Sequence, residues 1–392
     1  MAALSRVLIL DPGMTRSFGH HYGYNHAFGA AFRRERLEVR SYFSGGLPQE
    51  LADEFPDSSA CFNWSLFEEM IRVGDNPDDF YTSAQAFCSE LQSYASPAAG
   101  PDALVFAHTL DPTALLGISL WYRTIRESDR PALALNIMLG VSDTRECHRQ
   151  LEAGCTLLRG MPRVRLFGGT RAIGEILSAL MGQTCQMLPT PLPEQPEQYY
   201  ANSQTEKLVF GLTGDWRPEK NLHIIPSALA LYLKKGGHGH FTIQMTPTDE
   251  SIHPVVLTLH DLSLLHSGKI TLDIRYLEEK AYYANLASFS ALLLPYRASE
   301  YPRYRPSGLA IEAAALAVPV IGAGGGFIEE ELAQLGNGSL FVEMPTREYL
   351  VDGLFRFERE WETRKKRALA AAPGYASHHD IQRWAKTMIS LA

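Results

Sequence analysis

Short apolar strands alternate with helical segments along this chain of 392 residues, and one proline-rich stretch divides the alternation into two series. In the first series the predicted strands are 6–10, 38–43, 103–107, 132–139 and 164–167. In the second series they are 208–212, 241–245, 270–272, 291–295, 319–321 and 339–341. Strands that alternate with helices form parallel sheets with helices on both faces. The sequence therefore predicts two consecutive doubly wound α/β domains.

The division between the two series lies at residues 188–196, which contain four prolines and are followed by polar residues as far as Lys207. This composition is typical of an interdomain linker. A chain of this length is also long for one hydrophobic core. We predict an N-terminal domain over 1–193, a linker over 194–206, a C-terminal domain over 207–375 and a last amphipathic helix within 376–392.

Composition excludes several classes of protein. The net charge of −8 argues against a nucleic-acid-binding protein that neutralises phosphates. The five cysteines are odd in number and form no CxxC pair, which favours reduced thiols over disulfides or a zinc site. No stretch is apolar for 18 residues, so no transmembrane helix is predicted, and the first residues are expected to form a strand rather than a signal peptide. We expect a cytoplasmic protein.

The stretch 307–322, which reads SGLAIEAAALAVPVIG, predicts a loop, a helix and a buried strand. Ser307 suits an N-cap, and Gly308 allows a ligand to approach the backbone. Pro319 cannot continue the helix, so a strand follows. Glu312 is the only acidic residue of the stretch, and a carboxylate on an otherwise apolar helix requires a hydrogen-bond partner. A ribose diol would supply two donors; the alternative is an ordinary amphipathic helix before a parallel strand.

This stretch resembles the SG…EA…G-x-P-V-I block in the C-terminal half of GT-B glycosyltransferases, in particular family 4 of the retaining enzymes. The resemblance implies two Rossmann-like domains that face a central cleft, with the C-terminal helix crossing back to the N-terminal domain. The N-terminal domain would bind the acceptor and the C-terminal domain a nucleotide-sugar donor. Glu312 would then bind the ribose, and Ser307, Gly308 and Leu309 would line the donor site.

A second segment, GDWRPEKN, follows the first strand of the second series and is expected to open a helix. A helix N-terminus suits a diphosphate, and Lys220 and Arg217 would add charged contacts. In the family a G-R-x-x-x-x-K-G stretch binds the phosphates. Lys220 matches the lysine, but Asp215 stands in place of the arginine and Asn221 in place of the second glycine. We expect Gly214, Arg217 and Lys220 to hold the diphosphate; the alternative is a solvated, charged helix start.

Two places in the first series are candidates for the same site. Gly19 and His20 follow strand one and resemble the glycine-containing loop that contacts the donor phosphates and the acceptor in GT-B enzymes. His108 follows the strand 103–107, where family members often carry a polar residue near the donor sugar. The alternative is that these histidines have ordinary structural roles. The pair His20 and His21 could bind a metal, but no carboxylate or cysteine lies at helical ligand spacing, and the family implies no metal and no cofactor beyond the nucleotide sugar.

The chain departs from the family at the Glu-x7-Glu motif. Glu312 matches the second carboxylate, but Tyr304 stands eight residues before it, and Glu300 stands twelve before it. Either Glu300 reaches the sugar from a longer loop or the sugar is held differently, so the identity of the donor stays open.

The loop 296–306 carries Arg297, Arg303 and Arg305, which would form an anion-binding edge or a solvated rim. The glycines of 322–326 would cradle a ligand or make a tight turn.

These features together predict a retaining glycosyltransferase that moves a sugar to a glycan, a lipid-linked sugar or a protein, as in bacterial glycan biosynthesis. The family implies a front-face displacement in which Lys220, Arg217 and His108 act on the reacting groups. Contact with the inner face of a membrane is compatible with this function. The alternatives are a nucleotide-sugar epimerase, for which Asp111 and Asp143 are the candidate acid and base, and a catalytically idle nucleotide-sugar-binding subunit.

Overall fold

A computed structural model of the protein describes residues 3–17, 19–203, 207–217, 220–247, 250–299, 301–343 and 346–391. The chain divides into two compact units: unit 1 is Met1–Pro191 with Asp380–Ala392, and unit 2 is Leu192–His379. The segment expected to be a linker therefore belongs to unit 2, where Pro196–Ser203 forms 3-10 turns. Residues 204–206 of that segment lie outside the described residues.

Unit 1 contains a parallel sheet of six strands in the order β3-β2-β1-β4-β5-β6. The strands are β1 (Arg6–Asp11), β2 (Glu38–Ser44), β3 (Ser58–Phe62), β4 (Ala103–Leu110), β5 (Ala132–Ile137) and β6 (Val164–Gly168). The helices that follow them are α1 (His20–Arg34), α2 (Gln49–Ala52), α3 (Leu66–Asp75), α4 (Phe80–Tyr94), α5 (Pro112–Thr124), α6 (Arg145–Leu158) and α7 (Arg171–Met181).

The central strands of unit 1 are mostly apolar because helices cover both faces of the sheet. All residues of β4 and β5 are buried. The edge strand β3 is different, because most of its residues are partly or fully exposed, and its sequence SSACF gives no apolar run. This explains why the sequence did not indicate β3.

Unit 2 contains a second parallel sheet of six strands, in the order β11-β9-β7-β12-β13-β14, and a small pair β10-β8. The strands are β7 (Val209–Leu212), β8 (Asp215–Trp216), β9 (His240–Gln244), β10 (Thr246–Pro247), β11 (Ile270–Asp273), β12 (Ala291–Leu294), β13 (Val320–Ala323) and β14 (Leu340–Val342). The helices are α8 (Ile225–Lys234), α9 (His253–Leu265), α10 (Glu279–Ala287), α11 (Gly308–Ala315), α12 (Phe327–Ala333) and α13 (Arg347–His378).

The last helix, α14 (Ile381–Leu391), returns to unit 1 and packs against α1. Trp384, Ala385 and Met388 enter the same apolar core as Phe28 and Phe32. The Gln382 side chain donates a hydrogen bond of 2.6 Å to the carboxylate of Glu35. The predicted two-sheet α/β fold and the predicted return of the C-terminal helix are confirmed. No described helix is both long enough and apolar enough to span a lipid bilayer.

The first strand of each unit lies in the middle of its sheet. In unit 1 β1 pairs with both β2 and β4, and in unit 2 β7 pairs with both β9 and β12. The chain therefore adds strands first on one side of this central strand and then on its other side. The segments that follow the strands leave in opposite directions at the carboxyl ends of β1 and β4, and of β7 and β12. In open α/β sheets ligands bind at such switch points. The ends of β1 and β4, and of β7 and β12, are thus the places where functional groups are expected.

The middle of unit 2 gives a first testable prediction. A Cβ at Gly211 in β7 would lie 2.0 Å from Cδ2 of the buried Phe289. Gly211→Ala should lower the free energy of unfolding by about 1–3 kcal/mol, because an overpacked core must shift. Denaturant unfolding of the full chain measures this change.

Gly322→Ala in β13 is the matched control, since the nearest atoms would lie 3.4 Å away. Combining Gly211→Ala with Phe289→Leu should cost less than the sum of the two changes, because the smaller side chain relieves the contact. Equal effects at the two glycines would contradict the steric explanation.

Candidate functional site

The carboxyl end of β7 turns sharply at Gly214, whose φ of 95° is one that side chains rarely adopt. Before it, the hydroxyl of Thr213 donates to Oε1 of Gln244 at 2.5 Å, and the amide of Gly214 reaches the same oxygen at 3.3 Å. A Cβ at Gly214 would lie 3.9 Å from Cδ2 of Leu309, near the start of α11. The structure therefore brings the turn after β7 next to the start of α11.

Cationic side chains surround the ring of Tyr296 at the end of β12. The ammonium of Lys220 lies 5.8 Å from the ring centroid, and its side chain donates a hydrogen bond to the carbonyl of Asp215. Burial raises the pKa of Tyr296 well above its usual value, and the charges of Arg217 and Arg305 oppose this rise. Three cations and the carboxylate of Asp215 thus act on one buried ring, and the excess of positive charge favours an anion at this edge of unit 2.

The segment that carries these cations differs from the expected helix start. Asp215–Trp216 forms the short strand β8, and a 3-10 turn at Leu222–Ile224 precedes α8, which begins only at Ile225. Asn221 has a left-handed φ of 58°, and its side-chain amide donates to the carbonyl of Pro295 at 3.0 Å. This hydrogen bond ties the segment to the end of β12. Lys220 and Arg217 are therefore positioned by a tethered loop and not by a helix N-terminus.

Helix α11 begins as the sequence indicated. The Ser307 hydroxyl accepts a hydrogen bond from the amide of Ala310 and caps the helix. Glu312 is partly buried, and its Oε2 accepts a hydrogen bond of 2.6 Å from the hydroxyl of Tyr282 on α10. Burial raises the pKa of Glu312, and the Tyr282 hydrogen bond opposes the rise. Tyr282 is thus the partner that this carboxylate requires, and within the described residues Oε1 accepts no hydrogen bond.

The loop after β12 and the glycines after β13 have mainly structural contacts. The guanidinium of Arg305 lies 4.3 Å from the Tyr301 ring centroid, and Arg303 lies 3.3 Å from the Glu330 carboxylate. The amide of Gly325 donates to the Glu329 carboxylate at 2.7 Å, as in a tight turn. Glu300 lies outside the described residues. Tyr304, which stands where the family has its first carboxylate, is only 8% exposed.

In unit 1 a buried carboxylate, that of Asp11, lies at the switch point between β1 and β4. It contacts four polar groups: Nδ1 of His21 at 2.7 Å, the Asn25 amide at 2.6 Å, the Gly13 amide at 3.1 Å and Nε2 of His108 at 3.2 Å. Burial alone would raise the pKa of Asp11, but the charges and hydrogen bonds of the two histidines outweigh it and hold the pKa well below its usual value. Asp11 therefore remains a carboxylate.

The two histidines predicted from the sequence have different surroundings. His108 is fully buried, and its Nδ1 lies 2.9 Å from the Thr109 hydroxyl while Nε2 contacts Asp11. Burial lowers the pKa of His108, and Asp11 opposes this effect. His20 is partly buried at the start of α1, directly after Gly19, and its ring centroid lies 4.2 Å from that of His21. Each ring nitrogen of His108 thus faces another protein group.

The Asp11 cluster also has the spacing of a metal site. One ligand atom each from Asp11, His21 and His108 lie within 4.8 Å of one another. Two histidines and a carboxylate are a common ligand set for divalent transition metals. Here a ring nitrogen of each histidine contacts the Asp11 carboxylate directly. The amides of Asn25 and Gly13 donate to the same carboxylate. The carboxylate of Asp11 thus connects both histidine rings to α1 and to the end of β1.

Asp111, the first candidate acid or base of an epimerase, caps a helix. Its carboxylate accepts a hydrogen bond of 2.8 Å from the amide of Ala114 and begins α5. Burial raises the pKa of Asp111 to about 6. Asp143 lies just before Thr144, which caps α6. The contacts of Asp111 give it a structural role at the start of α5.

Sequence reasoning missed Asp11 and Asn25 in unit 1, and Tyr282 and Tyr296 in unit 2, and it considered His21 only as a neighbour of His20. Asp11 could have been found, because it is the polar residue that ends an apolar strand at the centre of a sheet. His21 and Asn25 lie four residues apart on α1 and so share one face of the helix. Tyr282 has no comparable signal, because only the packing of α10 beside α11 brings it to Glu312.

Comparison with known proteins gives structural matches only. The fold is similar to Anabaena HepE in complex with UDP, with a TM-score of 0.65 and 13% identity over 98% of this chain and 100% of that one. Trehalose 6-phosphate synthase from Burkholderia multivorans matches with a TM-score of 0.64 and 13% identity, over 99% of this chain and 96% of that one.

Sucrose-phosphate synthase from Thermosynechococcus elongatus matches with a TM-score of 0.63 and 13% identity, over 98% of each chain. No protein-family model and no curated protein matches the sequence. At this identity the likeness establishes the fold, and the predicted GT-B fold is confirmed.

The raised pKa of Asp111 leads to a prediction about stability. The pKa of about 6 in the folded protein lies above the value of about 3.9 for an unfolded chain, so the stability from Asp111 is full below pH 4 and is lost as pH rises through 6. Asp111→Asn keeps an oxygen for the cap and removes the buried charge. Its free energy of unfolding relative to the unsubstituted protein should rise by about 2–3 kcal/mol between pH 4 and pH 7.5.

Urea unfolding at both pH values measures this difference. Asp380→Asn is the control, because Asp380 accepts a hydrogen bond from the amide of Arg383 at the start of α14 but is exposed. The same change there should not depend on pH in this way. A pH-independent difference at Asp111 would contradict the effect of burial.

Proposed function

We propose that the protein is a glycosyltransferase that transfers a sugar from a nucleotide-diphosphate sugar. The observation that carries the proposal is the carboxyl edge of unit 2, where the ammonium of Lys220 lies over the ring of Tyr296 and the charges of Arg217 and Arg305 also act on that ring. A diphosphate is the anion that such a cationic edge favours, and a nucleoside supplies hydroxyl groups for Glu312. The GT-B fold supports the reaction class.

The donor would bind to unit 2. Oε2 of Glu312 already accepts from Tyr282, so Oε1 would accept from a ribose hydroxyl. Gly214 and Leu309, which approach each other, would lie beside the phosphates together with Ser307 and Gly308. Structural neighbours of the fold include HepE in complex with UDP-glucose and with UDP and glucose. These complexes support a nucleotide-sugar donor without fixing its identity here.

The finer proposal is transfer with retention of the anomeric configuration and without a metal. In a front-face displacement the departing diphosphate takes the proton of the acceptor, and protein cations stabilise the charge that develops on it. Lys220 and Arg217 would supply this stabilisation, and removing one such group typically costs about 10²- to 10³-fold in rate. The anomer of the product, read by NMR, tests retention directly.

The acceptor would be a glycan, a lipid-linked sugar or a protein. The protein would act in the cytoplasm or at the inner face of a membrane.

One observation favours the second candidate, an idle nucleotide-sugar-binding subunit. Tyr304 is buried where the family has a carboxylate for the donor sugar. Release of free nucleoside diphosphate from a panel of donor sugars, with and without saccharide acceptors, separates an enzyme from an idle subunit.

Glu312 and Tyr282 give a paired prediction about nucleotide affinity. Glu312→Gln should weaken the binding of the nucleoside diphosphate by about 10- to 100-fold, because a hydrogen bond to a charged group is lost. Tyr282→Phe should leave the carboxylate in place but free to turn, with a smaller loss. Calorimetry on the folded variants measures both affinities, and unchanged affinity in Glu312→Gln would refute the ribose assignment.

Lys220 gives a prediction about rate. Lys220→Ala should reduce kcat more than it raises the KM of the donor, because the charge on the diphosphate is larger when the sugar leaves. Arg217→Ala should have the same effect to a lesser degree. Lys280→Ala, at an exposed lysine of α10, is the control and should change neither constant. A Lys220→Ala protein whose only defect is a higher KM for the acceptor would contradict this role.

A further inference from the structure

Two short segments of unit 2 contact each other through two adjacent pairs of residues. Asn221 donates a hydrogen bond of 3.0 Å from its side-chain amide to the carbonyl of Pro295, 74 positions further along the chain. Lys220, the residue before Asn221, has its ammonium 5.8 Å from the ring centroid of Tyr296, the residue after Pro295. Neighbouring residues of one segment are thus joined to neighbouring residues of the other.

The hydrogen bond of Asn221 is shielded from water. Asn221 is only 2% exposed, and Tyr296 beside it is 4% exposed. A buried hydrogen bond has little competition from solvent, and leaving one of its partners unsatisfied is costly. The backbone at Asn221 is left-handed, with a φ of 58°, which asparagine tolerates better than most residues. The backbone and the side chain of Asn221 therefore favour the same conformation of the segment.

The same contact restricts the lysine next to it. A lysine side chain is long and flexible, and ordering it costs conformational entropy. Lys220 is restrained at both ends, because its backbone adjoins the tethered Asn221 and its ammonium donates to the carbonyl of Asp215. A charge that is already in place when a ligand arrives costs less to order on binding. It also needs no reorganisation when charge develops during a reaction.

We propose that Asn221 is a positioning residue that holds the ammonium of Lys220 in place for the diphosphate of the donor. Asn221 itself touches no reacting atom, and its effect on binding and rate passes through Lys220. The inference rests on the proposed function, which assigns the diphosphate to Lys220. The family that this segment resembles has glycine at this position. Glycine has no side chain to reach the carbonyl of Pro295, so the tether is a feature of this chain.

Asn221→Gly removes the tether without straining the backbone, because glycine adopts a left-handed φ readily. Calorimetry on the full chain should show an affinity for UDP or ADP that is lower by about 3- to 10-fold, the loss expected when one hydrogen bond is removed. With a donor sugar that is turned over, kcat should fall more than the KM of the donor rises, as expected for Lys220→Ala.

Asn337→Gly is the matched control within unit 2. Asn337 is 1% exposed, and its side-chain oxygen accepts a hydrogen bond of 3.1 Å from the amide of Ser339, just before β14. This change also removes a buried asparagine, so it should lower the stability of the protein but leave its affinity for nucleotides unchanged. An equal loss of affinity in the two variants would overturn the proposal, because the effect would then be one of general destabilisation.

A double-mutant cycle decides whether the effect of Asn221 passes through Lys220. Asn221→Gly should lower the affinity for UDP or ADP in the otherwise unsubstituted protein. In the Lys220→Ala background it should change the affinity by less than about twofold. An equal loss in both backgrounds would overturn the proposal, because Asn221 would then act independently of the lysine. No loss in the unsubstituted background would overturn it as well.

NMR of the full chain, labelled with carbon-13 in its lysine side chains, follows Lys220 without any ligand. The signal is identified by its absence from the Lys220→Arg protein. It should differ from the signal of an exposed lysine such as Lys280, because the ring of Tyr296 lies close. Asn221→Gly should move it towards the signals of exposed lysines, and Asn337→Gly should not. A signal that Asn221→Gly leaves in place would overturn the proposal.

The outcomes also separate this inference from the proposed function. If UDP and ADP do not bind while Asn221→Gly still moves the Lys220 signal, the nucleotide-sugar function fails and the tether of Lys220 stands. If Lys220→Ala weakens the binding of UDP or ADP while Asn221→Gly does not, the positioning role of Asn221 fails and the proposed donor site stands.

Discussion

The position of the first strand at the middle of each sheet is the constraint on which the other features of this protein depend. A parallel sheet needs a helix between successive strands, and every such helix starts at the carboxyl edge. When the chain adds strands on both sides of its first strand, two of these connections leave that edge in opposite directions. Polar side chains can therefore lie together at the carboxyl ends of β1 and β4, and of β7 and β12, outside the apolar layers that pack on the faces of the sheets.

Both units place a carboxylate near this edge, and each stabilises it differently. Asp11 is fully buried and contacts four polar groups, so its charge is maintained without solvent. Glu312 is only partly buried and accepts one described hydrogen bond, from Tyr282. A buried carboxylate that lacks donors tends to take up a proton. The fully bonded carboxylate is thus suited to orient its neighbours, whereas the one with a free oxygen is suited to bind a ligand.

Much of the fold could be predicted because its signals are local. The apolar runs of β4 and β5 are long and β-branched or aliphatic, and Ser307 and Thr170 have the hydroxyls that cap α11 and α7. The edge strand β3 could not be found, because it lacks the burial that produces an apolar run. The start of α8 was expected too early, because Asn221 can adopt a left-handed backbone and delay the helix, and the sequence does not show that its amide reaches Pro295.

The candidate sites were less predictable, because they depend on contacts between distant segments. The sequence indicated Lys220, Glu312 and His108 from their positions after strands or on a helix. The structure places Lys220 beside the ring of Tyr296 after β12, Glu312 on α11 and His108 near the end of β4. It could not indicate that Tyr282 meets Glu312, or that Thr109 and Asp11 face the nitrogens of His108. A residue type at a strand end gives the position of a functional group, but only the packing of neighbours decides which of its atoms remain free for a ligand.

The departure from the family pattern at Asp215 illustrates the same distinction. An acidic residue where the family has arginine would weaken a phosphate site if its carboxylate pointed at the ligand. Here the main-chain carbonyl of Asp215, in β8, accepts from Lys220. Arg217 and Arg305 bring positive charge to Tyr296 from two other positions. The charge of the Asp215 carboxylate also acts on Tyr296, but the three cations outnumber it, so this edge keeps an excess of positive charge although the motif is altered.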